Sequence, residues 1–179
     1  MNIKLLLGLS AVILLAGAIA LPSILSAKAS NERIGDWFLT CNSDETKDSK
    51  IGNCMMQQNL EYGEGEKKGR LLNIAIARIK TEKGKETNTI LTAPLGIMLQ
   101  AGIGLQVDDD EKIIQIPLER CTSAGCVARF NVAKDVIDRF KKGKNINIYM
   151  KSPDSKNLKT AISLKGFSKA YKEVENAAF

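Results

Sequence analysis

Histidine is absent from the chain. That one absence removes the Ser-His-Asp and Cys-His nucleophile pairs and the histidine-containing zinc sites, and most hydrolase and metalloprotease mechanisms go with them. A Ser-Lys dyad or a carboxylate pair needs no histidine, yet no spacing points to either. Aromatic side chains are scarce too, at 5% with a single tryptophan, too few for the stacking on which single-strand nucleic-acid binding depends. No nucleic-acid partner is expected. The cysteines include no C-x-x-C pair, and Gly102-Ile103-Gly104 lacks the third glycine and following helix of a phosphate-binding loop. That glycine pair reads as a tight bend, and no cofactor or metal is implied. Neither an internal repeat nor a low-complexity linker is seen.

Long apolar runs are also missing, except for one at the amino end, Leu5 to Leu21. Lys4 precedes it, while Pro22 and the small-residue site Ala27-Lys28-Ala29 follow. A short positive head, an apolar body and A-x-A spacing are what a signal peptidase reads. The expected layout is a secretory signal over residues 1–29 and a single β-rich, disulfide-bridged domain over residues 30–179. An uncleaved anchor is the competing reading, since the run approaches the lower length limit of a spanning helix. No cysteine follows the run, which argues against a lipoprotein anchor. The formal net charge of +6 falls by two when Lys4 and Lys28 leave. Mild basicity remains and favours anionic surfaces without naming one.

All four cysteines, Cys41, Cys54, Cys121 and Cys126, lie in the exported part, where disulfides form and persist. Three pairings are possible. Cys121 and Cys126 flank Thr122-Ser123-Ala124-Gly125, a hairpin-sized loop with a glycine near its end. Pairing of Cys121 with Cys126 is therefore favoured, and Cys41 with Cys54 follows by elimination. Structural staples suit these spacings better than a redox pair or a four-cysteine zinc site.

Alternating apolar residues mark strands over Ile34–Cys41, Ile51–Tyr62, Arg70–Lys80, Thr87–Leu91, Ile113–Cys121, Gly125–Asn131, Asn145–Met150 and Leu158–Leu164. Val132, Val136, Ile137 and Phe140 instead share a helical face, with Lys141 and Lys142 at its carboxyl end and Gly143 as a stop. A second amphipathic helix is expected over Ser168–Glu175. Many short strands and two short helices in the carboxyl half predict a mostly β fold, an antiparallel sandwich or a distorted barrel.

Two surface features stand out. Lys67, Lys68 and Arg70 form one basic cluster, and Lys141, Lys142 and Lys144 another. Either suits lipid headgroups, anionic glycans or an acidic partner, and either also fits a solvated turn or helix end. Leu95, Ile97, Met98, Leu99 and Ile103 make up the most apolar stretch of the exported part. Core is its default destination, and any exposed part of it would mark a partner or membrane contact.

A set of landmarks runs through the chain: Trp37 and Cys41, then Cys54, Pro94-Leu95-Gly96-Ile97 with Leu99, and Gly104-Leu105-Gln106-Val107-Asp108. Arg120-Cys121, Gly125-Cys126 and Ser163-Leu164-Lys165-Gly166-Phe167 with Ala170 follow. In this order the chain resembles the invasion-associated locus B family of exported proteins of Gram-negative bacteria, from Gly35 to about Ala170. The resemblance brings no catalytic residue to transfer. It implies a non-enzymatic, exported interaction protein, periplasmic or at the outer surface, supporting envelope function or host contact. The partner would be an envelope or host-surface component, with peripheral membrane contact possible. A β module enclosing a small apolar ligand or lipid is the alternative, and a thiol oxidoreductase ranks third.

Overall fold

The computed structural model describes residues 30–42, 49–63 and 69–179. The apolar leader, loop residues 43–48, and Lys67 with Lys68 lie outside the described residues.

Strands β1 (Ser30–Ile34), β2 (Trp37–Cys41), β3 (Ile51–Tyr62), β4 (Gly69–Thr81) and β5 (Gly84–Ala93) come first. A bend and a 3-10 turn at Leu99–Ala101 lead into β6 (Ile103–Val107), β7 (Ile114–Ile116), β8 (Arg120–Thr122) and β9 (Gly125–Asn131). Helix α1 (Lys134–Lys142), β10 (Asn145–Lys151), β11 (Asn157–Ser163) and helix α2 (Phe167–Glu175) complete the order.

The strands form two antiparallel sheets, ordered β1-β2-β3-β4-β5-β9-β8 and β11-β10-β6-β7. β1 and β8 end the large sheet, and β11 and β7 end the small one, with no ladder among the described residues joining the edges. Of the two expected architectures the barrel is therefore ruled out, and an open two-sheet fold remains. Period-two alternation explains the burial: β4 turns Leu72, Ile74 and Ile76 inward, and β10 does the same with Ile146, Ile148 and Met150.

One expected strand, Ile113–Cys121, is in fact two. β7 pairs with β6 in the small sheet and β8 pairs with β9 in the large one, with Pro117 between them. Proline has no N–H to donate, so it cannot continue a ladder, and the chain changes sheets there.

Helix α2 buries Phe167, Ala170, Tyr171 and Val174, at i, i+3, i+4 and i+7, the spacing of one helical face. Phe167 stacks on Tyr171 with centroids 5.5 Å apart and meets Trp37 and Phe140 edge-on at 5.4 and 5.6 Å. Four of the nine aromatics thus meet where α2 lies over the large sheet. Gly35 and Gly166 make this closeness possible. Asp36 donates its N–H to the Lys165 carbonyl at 3.1 Å, and a side chain on Gly166 would run into the Ile34 carbonyl.

Candidate functional site

Cys41 bonds Cys54 and Cys121 bonds Cys126, as the hairpin spacing predicts. In both bridges the two cysteines are direct cross-strand partners, on β2 and β3 and on β8 and β9. The bridges join neighbouring strands, and no cysteine among the described residues is free.

The described basic residues do not form one patch. Arg70 stands at the start of β4, exposed, and donates to the Ala124 carbonyl at 2.9 Å in the β8–β9 turn. Lys141 instead lines a cleft with Arg78, eight residues further along β4, or about 26 Å at strand rise. There it pairs with Glu175 at 3.5 Å and lies 4.9 Å over the Tyr171 ring. Lys142 and Lys144 are exposed, and the Lys144 backbone N–H donates to the Asp108 carboxylate at 3.0 Å.

The cleft around Lys141 has a volume of about 500 Å³ and holds charges of both signs. On its α1 wall Lys134 and Asp138, one helical turn apart, pair at 2.9 Å. Their hydrogen bond, reinforced by Coulomb attraction, holds the Asp138 carboxyl below its ordinary range and raises Lys134. Arg78 donates to Thr87 at 3.2 Å and to the Lys85 carbonyl at 2.8 Å, and Thr87 bonds the Tyr171 hydroxyl at 2.6 Å. Sequence reasoning missed Arg78 and Lys85, because β4 and β5 look uniformly structural until the helices close over them.

The apolar stretch splits in two. Ile97 and Ile103 are core residues, whereas Leu95 is 56% exposed and Leu99 is 46% exposed. The loop bearing them is tied down by the Met98 N–H, which donates to the Lys151 carbonyl at 2.8 Å. Beside it runs a groove of about 460 Å³ on the outer face of the small sheet, lined in part by Gly104, Ile113, Tyr149, Lys151 and Lys159. Tyr149 and Lys159 are direct partners on β10 and β11, with the ammonium 5.4 Å over the ring. The Tyr149 hydroxyl donates to Gln106 at 2.6 Å. The inward parity of Ile146, Ile148 and Met150 already put Tyr149 and Lys151 outside, and only the pairing with β11 added Lys159.

The family model "Invasion associated locus B (IalB) protein" matches residues 37–175. The chain belongs to that family. Invasion protein B of Bartonella bacilliformis is 27% identical over 151 residues, covering 83% of this chain and 76% of that protein. The crystal structure of invasion associated protein B from Bartonella henselae superposes with a TM-score of 0.67 at 22% identity, covering 83% of this chain and 97% of that one. Every landmark of the invasion associated locus B family named above from Trp37 to Ala170 falls inside the matched span. Several have structural duties here: Ile97 anchors the surface loop, Gly166 allows the close approach to β1, and Phe167 centres the aromatic cluster. Among the described residues, no group of three or more histidine, cysteine, aspartate or glutamate side chains is placed to hold a metal ion. No helix there is long and apolar enough to cross a membrane.

Proposed function

We propose that this invasion associated locus B family member is exported and works by presenting its surface to an envelope or host component, without turning over a substrate. The observation that carries the reading is the fixed loop that buries Ile97 while leaving Leu95 and Leu99 in solvent beside a lysine-lined groove. Exposed leucines on a tethered loop gain by being covered, and covering them needs a partner. The basic residues, Lys67 and Lys68 with Arg70 in the sequence and the exposed Lys142 and Lys144, add attraction for anionic partners. Export rests on the leader, whose small-residue site ends at Ala29.

The test is binding of labelled protein to intact cells and to isolated envelopes, alongside amino-terminal sequencing of the exported form. Saturable binding that weakens with Leu95→Ser/Leu99→Ser, from a chain starting at Ser30, supports the reading. A chain retained in the membrane from Met1, or substrate turnover lost on a single replacement, would overturn it.

A second reading has its own observation. Between the sheets, β6 and β7 face β9 and the start of α1 across a groove of about 240 Å³ lined mainly by apolar residues, Leu105, Ile114, Ile116, Phe130, Val132 and Val136, together with Lys112 and Asp135. That chemistry suits a small apolar ligand. Native mass spectrometry of the protein as purified from cells would reveal such a ligand as added mass.

A further inference from the structure

We infer that the Leu95–Leu99 loop and the adjacent groove seat the domain on an anionic lipid surface. The inference rests on the interaction reading above and names its partner.

Three features point the same way. First, the loop is built to hold leucines outward: Ile97 is 8% exposed and plugs into the core, while Leu95 and Leu99, two residues to either side, are 56% and 46% exposed. The hydrogen bond from Met98 to Lys151 fixes that arrangement to the end of β10. Second, the charged residues lining the neighbouring groove are Lys151 and Lys159, with no carboxylate among the lining residues. Neither lysine is in an ion pair with a described residue. The mixed-charge cleft around Lys141 behaves differently, because Lys134 and Lys141 in its lining have carboxylate partners already. Third, Ile113, 44% exposed, and Tyr149 line the same groove, so apolar and amphipathic side chains lie beside the two cations.

Leucines that enter the acyl boundary, with lysines at the level of the phosphates, are the elements of peripheral attachment to an anionic bilayer. The apolar part supplies area removed from water and the lysines supply attraction to the headgroups. A neutral bilayer offers only the first.

The test uses the chain from Ser30 onward, which carries the whole described core and both bridges, so that the apolar leader does not itself bind lipid. Cosedimentation is measured with vesicles of phosphatidylcholine and with an equimolar mixture of phosphatidylcholine and phosphatidylglycerol. The expected result is about tenfold stronger partition onto the mixed vesicles, removed by Lys151→Gln/Lys159→Gln. Leu95→Ser/Leu99→Ser is expected to weaken binding to the mixed vesicles by about tenfold. Added salt, which needs no variant, must weaken it as well. Equal binding to both vesicles, binding indifferent to the leucine replacements, or no vesicle binding overturns the inference. If vesicles are ignored while intact cells are still bound, a protein or glycan holds the site and the interaction reading survives. Loss of binding to both removes the two together.

Discussion

The indole N–H of Trp37 donates to the carbonyl oxygen of Ser163 at 3.0 Å, across 126 residues of sequence. Gln58 completes the junction: its amide N–H donates to the same carbonyl at 3.0 Å and its amide oxygen accepts the Ser163 N–H at 3.0 Å. Trp37 and Gln58 belong to the large sheet and Ser163 to β11 of the small one, so this junction fastens the two layers. Gln58 is one of the few buried polar side chains. Replacing it with leucine keeps the volume but strands the Ser163 N–H, and is expected to cost about 1–3 kcal/mol. Urea unfolding followed by the fluorescence of Trp37 measures it.

Gly166 has φ +86, and a Cβ there would collide with the Ile34 backbone. Gly84 has φ +111 with open space around it. Gly166→Ala should therefore destabilise by more than about 1 kcal/mol, and by more than Gly84→Ala, which carries only the backbone strain. Thermal melts of the two variants side by side give the difference.

The bridges close loops of unequal length, with sequence separations of 13 and 5. Loop-closure entropy predicts about 3 kcal/mol for Cys41–Cys54 and about 2 kcal/mol for Cys121–Cys126. Paired alanine replacements at 41 and 54 should thus lower the urea midpoint more than those at 121 and 126. Non-reducing peptide mapping of the wild-type chain should recover the same two pairs.

Lys134 holds the Asp138 carboxyl below its usual range, chiefly by a direct hydrogen bond. A depressed folded pKa means that the contribution is present above the unfolded pKa and is lost as pH falls through the folded one. Carboxyl NMR should show Asp138 titrating below an unpaired aspartate, and Lys134→Ala should move it back up. Stability should hardly respond, because the pair is solvent-exposed.

Lys142→Gln/Lys144→Gln should leave stability within about 0.5 kcal/mol of wild type, since both side chains are exposed. Lys141→Gln should cost more, about 0.5–1 kcal/mol, because its ammonium serves both Glu175 and the Tyr171 ring. Calorimetric melts separate the two cases. Any loss of cell binding in the first variant then reports the surface and not the fold.

Much of the fold was legible because strand periodicity is local. The alternation at Leu72, Ile74 and Ile76, or at Ile146, Ile148 and Met150, follows from side chains pointing to opposite faces. The Cys121–Cys126 bridge was legible for the same reason, since its loop is short enough to dictate its own geometry. Pro117 was visible as well, but its effect was not: a proline can end a strand or bend it, and only the availability of β6 and β9 as separate partners sent β7 and β8 to different sheets.

The candidate site was the least legible part. Leu95, Ile97 and Leu99 share parity and hydrophobicity, so sequence treats them alike, yet one lies in the core and two face solvent. Sequence alone determined the bridged β domain, its two amphipathic helices and the family landmarks, because propensity, spacing and covalent pairing act over a few residues. Tertiary structure alone decided which leucines stay wet, that Lys151 and Lys159 share a groove, and that Arg70 lies far from Lys141. Those relationships depend on which strand lies beside which, and that choice is made by the summed burial of the whole core and by no single segment.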